Sequence, residues 1–544
     1  MIRKPGGMAL APYAVLITVW IGSIFLWMLP GYVVPDGAGY TAYLSSAWID
    51  HDLLLYDEWA RFGMIKGNAI AFTNITANGH LSDHWTVGPA VVWFPAFLAA
   101  DAARAVLPSW RVFPRNGVSL PYAIAILASS AMAGLITLLL GAWAARPASG
   151  SFHATLAAIG IWFGSPLLWY SVRHASMAHA VSGAACAVVV AIALSLRREV
   201  TASQMFAAGL ACGFAFAVRP QNLTFILVPP IIAGFIPLLR RSWLAAIGFV
   251  IGALPELVVS QVLYGRPLAF ASSGEANDWH SFERIRLGLP LLSWYHGMFP
   301  WTPLLALSLV GLVLLWRDDR RLAAAGVITF ILQWLIISAF DRSFWGMVAF
   351  GQRRFDSCAV FFVIGLAALL ARLPRIVAAA LVAAGSAWTM LLFFGAGHLN
   401  LNDYIPPRTL WNAAMYAVRS DHVLGLLQSV APRARTAASI MALLAIAVTA
   451  LVALAMRRHV AIAAGYLLAV SAFLAWCGTH DAARMAPYRP LIAARGIARD
   501  GHAVDYLGLL RREVAYFHAV GNEEEAQRSA RDAELFARTH GLAP

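Results

Sequence analysis

Charge is scarce in this chain. Only 12% of its 544 residues are Asp, Glu, Lys or Arg, and the 27 acids are outnumbered by 40 bases. Soluble domains carry roughly a quarter of their residues as charges. A chain this poor in them lacks the polar surface that several water-facing cores would need. Cysteine is scarce too. Cys186, Cys212, Cys358 and Cys477 all lie in or at the end of apolar stretches, and none has a CxxC partner. This excludes a disulfide framework and a thiolate zinc site, and each cysteine reads as a small hydrophobe. No soluble segment combines a basic patch with interleaved aromatics, so the net charge of +13 is not a nucleic-acid footprint. No self-similar halves of the kind transporters carry are found.

What fills the chain instead is apolar sequence, 60% of all residues. Runs long enough to cross about 30 Å of hydrocarbon follow one another, clearly so at 8–29, 120–144, 178–196, 244–263, 322–340, 376–394 and 437–456. The first is too long for a signal peptide and lacks a small-residue cleavage site, so it reads as a retained span. Basic residues punctuate the runs: Arg3 and Lys4, then Arg197–Arg198, Arg240–Arg241, Arg320–Arg321, Arg372 with Arg375, and Arg457–Arg458. Two crossings separate successive pairs, which is the positive-inside pattern with the N-terminus cytoplasmic. Fourteen candidate segments can be counted, but a cytoplasmic start and an external end require an odd number. One segment between Trp85 and Tyr170 is therefore merged, re-entrant or miscounted, and about 13 spans are expected. The fold class is an all-α polytopic membrane protein. Residues 1–478 form the membrane domain, with external loops at 30–86 and 264–296, and residues 479–544 form an external helical hairpin tail. In that tail Val504, Leu507, Leu510, Val514 and Phe517 repeat at helical spacing, Gly521-Asn522 turns the chain, and Ala526, Ala530, Leu535 and Phe536 mark a second helix.

Polar chemistry gathers at one face. The stretch 29–83 carries six acids (Asp36, Asp50, Asp52, Asp57, Glu58, Asp83) against Arg61 and Lys66. The later loops of the same face carry Arg219, Arg266, Arg284, Arg286, Arg342, Arg353 and Arg354. Arginine offers paired donors to phosphate oxygens, and a carboxylate can take a proton from a hydroxyl. The combination suits a reaction between a phosphate-bearing lipid and a hydroxyl acceptor.

Several stretches resemble one family. The first loop reads Pro35-Asp36-Gly37-Ala38-Gly39-Tyr40-Thr41-Ala42-Tyr43-Leu44-Ser45-Ser46, followed by Asp50-His51-Asp52 and Asp57-Glu58. Further on come His84-Trp85-Thr86-Val87-Gly88-Pro89-Ala90, Gly164-Ser165-Pro166-Leu167, Ser176-Met177-Ala178-His179-Ala180, Arg219-Pro220-Gln221-Asn222 and Phe350-Gly351-Gln352-Arg353-Arg354-Phe355. In order, spacing and common side, over roughly residues 8–355, these resemble the bacterial membrane glycosyltransferases of the GT-C fold. That group includes protein O-mannosyltransferases and aminoarabinose transferases of lipid A. The resemblance implies a GT-C helical bundle in the inner membrane, with its active site and C-terminus on the periplasmic side. It implies inverting transfer of a sugar from a polyprenyl-phosphate donor to a glycan, lipid or protein hydroxyl. It also implies that an aspartate just past the first span is the general base, and Asp36 holds that position.

Each candidate has a plainer reading beside it. Pro-Asp-Gly is a strong turn signal, and Asp36 could simply begin a short helix. Asp57 and Glu58 could contact the acceptor or a cation, or line a solvated helix. No metal-ligand spacing stands out, so no metal or other cofactor is expected, with a divalent cation as the alternative. His84 and His179 could bond sugar or phosphate, or be satisfied at the interface. Arg219, with Gln221 and Asn222, is expected at the donor headgroup, since an arginine between apolar stretches is expensive and usually functional; snorkelling is the alternative. Arg353 and Arg354 could grip phosphate or anchor an outer face. In the resembled fold a loop in this region closes over the donor, which would draw in Trp279, Trp294, Glu275, Asp278, His280 and Glu283; Trp294 and Trp301 are equally ordinary belt residues at the interface. A transporter or flippase, or a ligase joining glycan to lipid, are the rival functions.

Overall fold

A computed structural model describes residues 11–28, 33–61, 75–76, 78–269, 285–294, 296–340, 349–396, 407–419, 459–485 and 523–539, with scattered residues between 443 and 454 and between 507 and 518. Lys66, Arg284, Arg342, the Arg457–Arg458 pair, most of 437–456 and the acids and Trp279 of the later loop lie outside the described residues. The described part is helical, with one isolated bridge between Ile75 and Leu81 in place of any strand.

Helix α1 is Ala11–Trp27. The first loop holds α2, Pro35–Ser45, and α3, Tyr56–Arg61. Then follow α4 (Gly88–Val106), α5 (Leu120–Phe163), α6 (His179–Leu196), α7 (Ala202–Val218) and α8 (Ser242–Tyr264). The second half contains α9 (Pro303–Leu314), α10 (Arg320–Phe340), α11 (Ala359–Leu370), α12 (Arg375–Gly395), α13 (Pro407–Arg419) and α14 (Val460–Arg484), and the tail ends in α15 (Glu523–Thr539). Seven described helices are long and apolar enough to cross a membrane, so the chain is a multi-pass membrane protein.

The segment in question between Trp85 and Tyr170 resolves into two features. Helix α5 has 44 residues, about 66 Å if straight, twice what a bilayer needs. Gly150 breaks it, with φ 76° and ψ 166°, a conformation open to glycine. Just past this break the Arg375 guanidinium sits 5.2 Å from the Phe152 ring. Both arms pack on α1: Trp20 Nε1 donates to the Ala131 carbonyl at 2.8 Å, and Trp162 Nε1 donates to Ser23 Oγ at 2.9 Å. Helix α4, the least apolar of the seven, starts and ends on the first-loop side. Gly88 presses on Ala217 and Val218, and Asp101 accepts from Trp48 of the first loop at 2.9 Å and from Tyr122 at 2.6 Å.

The basic pairs gather at the other end. Arg197 forms a two-pronged pair with Asp319 at 2.5 and 2.6 Å, Arg372 pairs with Asp318 at 2.6 Å, and Arg241 bonds the Val200 carbonyl. Between the ends, α7 and α8 run parallel in close contact. A Cβ on Gly209 would lie 1.9 Å from the Ala245 carbonyl oxygen, one on Gly213 2.0 Å from that of Phe249, and one on Gly252 2.3 Å from that of Leu210. Lipid tails are as apolar as side chains, so helices in a bilayer hold together through this kind of close backbone packing.

The pairing fixes depth. Thr86 Oγ1 donates to the Val218 carbonyl at 2.6 Å, and Val87 N–H donates to Glu256 Oε2 at 2.9 Å. Glu256 lies eight residues before Tyr264, the end of α8, or about 12 Å along its axis. The end of α7 therefore lies about 12 Å below the end of α8. Helix α14 is tied to the first loop. Asp481 accepts from Leu53 N–H at 2.9 Å and meets His80 Nε2 at 2.6 Å, while Arg484 reaches Asp52 at 3.4 Å. α14 runs on through residue 478 to Arg484, and in the tail Leu507 and Leu510 pack against Ala533 and Ala537 of α15.

Gly213→Leu would force α7 and α8 apart, an overpacking cost of about 1–3 kcal/mol. The thermal unfolding temperature of the purified protein should fall, and a value equal to wild type would contradict this packing.

Candidate active site

Helix α2 is shaped to approach its neighbours. Val34 is extended, and Pro35 at the first helical position presets the backbone. Val34 N–H donates to Ser176 Oγ at 3.1 Å. A Cβ on Gly37 would fall 2.1 Å from that same oxygen, and one on Gly39 would fall 2.0 Å from the Trp85 ring. Both glycines are thus contact surfaces, one for the turn before α6 and one for the turn before α4. They seat Asp36 among elements far away in the chain.

Asp36 Oδ2 lies 3.3 Å from Arg353 Nη2. The Asp36 side chain keeps 37% of its surface open, while Arg353 keeps 12%, so the carboxylate is the more accessible partner of the pair. Arg353 is aimed by the turn Arg353–Cys358, entered through Gly351 at φ 60°. Its Nη1 also meets Met177 Sδ at 3.5 Å, and its Nε is buried with no partner.

Arg219 stands where α7 ends, in extended backbone. Its Nη1 is 3.2 Å from His179 Nδ1. A guanidinium can only donate, so Nδ1 supplies the lone pair and the imidazole is neutral, with its proton on Nε2. His179 is buried against Tyr170, ring centroids 4.5 Å apart. Asp356 Oδ2 lies 3.9 Å from the same Nδ1, is buried, and accepts no hydrogen bond. Burial pushes the Asp356 carboxyl well above the usual carboxylate range, against the pull of Arg219 and Arg353. Tyr40, one turn after Asp36, has Arg219, Asp36 and Arg353 as charged neighbours, and burial raises its hydroxyl's pKa.

The structure therefore brings together Asp36, His179, Arg219 and Arg353 from four separate parts of the chain. Gln221 and Asn222 are placed behind them. Gln221 donates to Gln333 Oε1 at 2.8 Å and to the Arg354 carbonyl at 2.9 Å, and fully buried Asn222 donates to Ser182 Oγ at 2.8 Å and the Ala215 carbonyl at 2.9 Å. These bonds fix the turn that presents Arg219 and the backbone of Arg354. His84 is exposed and stacks on Trp85 at 3.8 Å. Asp57 and Glu58 join Asp50, their nearest ligand oxygens all within 4.8 Å of one another. Some 14 residues of helix separate Asp50 from Asp36, roughly 20 Å. Burial, then the Asp50 carboxyl, push Glu58 well above its usual range. Arg266 and Arg286 are exposed.

Sequence reasoning passed over Asp356, Tyr40 and a second buried group, Asp83 with Glu256. Signals existed: Asp356 follows the Arg353–Arg354 pair directly, and Glu256 is an isolated acid inside an apolar run.

No protein-family model matches the chain, and no curated protein matches it. Among solved structures it is similar to ArnT from Cupriavidus metallidurans in the apo state, at 17% sequence identity. The match covers 88% of this chain and 78% of that one, with a TM-score of 0.44.

Asp83 supplies a pH test. Burial, then the neighbouring Glu256, raise its carboxyl from 3.8 to about 8, against the pull of the Trp85 N–H. Between those values the folded chain holds a proton that the unfolded chain releases, so stability falls as pH rises from about 4 to about 8 and levels above. Thermal unfolding across that range should show wild type losing ground to Asp83→Asn as pH rises. A pH-independent difference between the two would contradict the assignment.

Proposed function

We propose that this chain transfers a sugar from a polyprenyl-phosphate donor to a hydroxyl acceptor, with inversion, at the periplasmic face of a bacterial inner membrane. The observation that carries the reading is the open Asp36 carboxylate 3.3 Å from a buried arginine, with Arg219 beside it. Two guanidinium groups below the end of α8 suit a lipid-borne phosphate better than a soluble nucleotide, because the tail can remain in the bilayer while the headgroup rises between the helices. The buried Arg353 Nε, bonded to nothing in the protein, is a donor ready for a phosphate oxygen.

In this reading the phosphate draws Arg353 away from Asp36, and the freed carboxylate accepts the acceptor's hydroxyl proton. The acceptor oxygen bonds to the anomeric carbon from the face opposite the phosphate. The bond from that carbon to the phosphate oxygen breaks, and polyprenyl phosphate leaves as an anion held by Arg219 and Arg353. Neutral His179 keeps Arg219 aimed, with Asp356 buried beside it. Acceptors in this scheme are a glycan, a lipid or a protein, and no metal enters it.

The test uses protein reconstituted in vesicles with a panel of radiolabelled polyprenyl-phosphate sugars. Asp36→Asn should lower transfer by about 100-fold or more with folding intact. Arg353→Ala should weaken donor binding by about 10- to 100-fold, as expected for charge-assisted hydrogen bonds. Wild-type turnover in Asp36→Asn removes the base. Net movement of intact lipid-linked sugar across the bilayer, with no bond formed, replaces the transferase with a flippase.

A further inference from the structure

The face of α2 that carries Asp36 continues past it. Asp36, Tyr40 and Tyr43 stand four and three residues apart, so they line one side of the helix over about 10 Å. Asp36 meets Arg353 at one end. Tyr40 comes next, its ring 6.4 Å from that of Trp85. At the far end lies a cluster that the proposed reaction leaves unused.

Asp83 and Glu256 are 3% and 8% exposed. Each commits one oxygen to the turn around Trp85. Asp83 Oδ1 accepts from Trp85 N–H at 2.9 Å, and Glu256 Oε2 accepts from Val87 N–H at 2.9 Å. The hydroxyls nearby are spent elsewhere: Tyr43 donates its only proton to the Trp85 carbonyl at 2.9 Å, and Tyr264 donates to the Asp83 carbonyl at 2.7 Å. Asp83 Oδ2 is left buried with no hydrogen-bond partner. A buried carboxyl oxygen with no partner is costly whether or not it carries the proton, and calls for a reason. Holding the turn is not the reason, since Oδ1 and Oε2 already do that.

We propose that Asp83 and Glu256 form a sugar-ring subsite one to two helical turns along α2 from Asp36. Sugar hydroxyls, which both donate and accept, are the partners this corner lacks in either protonation state of Asp83. The arginines would hold the phosphate, Asp36 would face the anomeric carbon, and the ring would extend toward Asp83. The subsite rests on the transferase reading, and the ring could belong to donor or acceptor.

Asp83→Asn and Glu256→Gln each keep an oxygen for the backbone N–H they cap while replacing the second carboxyl oxygen with an amide nitrogen. Binding of polyprenyl phosphate and of polyprenyl-phosphate mannose and glucose would be measured in nanodiscs, alongside acceptor KM in transfer assays and thermal unfolding. Wild type should prefer at least one sugar-bearing lipid over bare polyprenyl phosphate. If the ring is the donor's, both variants should lose about tenfold of that preference with bare-lipid affinity unchanged. If it is the acceptor's, donor preference persists and acceptor KM rises about tenfold. Unfolding of either variant would show a purely structural role and overturn the subsite, as would unchanged donor preference together with unchanged acceptor KM. Failure of the transferase reading looks different: wild type would not bind bare polyprenyl phosphate, or would bind it regardless of Arg353→Ala.

Discussion

Guanidinium groups held away from water must be compensated, and the rest of this site follows from how that is done. An unpaired buried charge costs several kcal/mol. Arg353 meets the Asp36 carboxylate, Arg219 meets the lone pair of a neutral His179, and Asp356 lies behind both. The compensation is incomplete by design of the chain: Arg353 Nε and Asp356 Oδ2 have no hydrogen-bond partner. An anion entering between the arginines would complete it and release the one carboxylate in the group that faces outward. Binding and activation are then the same event.

Such a cluster requires distant segments to be held close, and small residues make this possible. Gly37 and Gly39 let α2 lie against Ser176 and the Trp85 ring, and Gly88 lets the next helix begin against Val218. Amides lock the Arg219 turn from behind, with Asn222 bonded to Ser182 and Gln221 to Gln333. From above, α14 grips the first loop through Asp481, which serves both His80 and Leu53. Burial and neighbouring acids push the Asp52 carboxyl there up to about 6. The end of the membrane domain thus stabilises the loop that follows its first helix.

Membrane class, helical content and the grouping of basic pairs were legible because they depend on local composition. The helix at Pro35 and the grouping of Asp36 with Arg219 and Arg353 could be read from residue types that are expensive where they stand. Other features depend on contacts that no local pattern encodes. The turn at Gly150 hides two arms in one apolar stretch, since glycine is equally at home in a tight helix contact. Gln221 and Asn222 look like ligand contacts beside an arginine, yet amides bond backbone just as well, and here they do. Asp57 and Glu58 share a loop with Asp36, but helix α2 carries them to its other end. Asp356 and Glu256 show their meaning only when their partners, more than 130 residues away in the chain for Arg219 and Val87, are beside them.

The most direct measurement is an experimental structure of the protein in nanodiscs with a polyprenyl-phosphate sugar bound. This account predicts phosphate oxygens within hydrogen-bond reach of both Arg219 and Arg353, and the Asp36–Arg353 pair opened. A headgroup bound elsewhere, with that pair still closed, would contradict it.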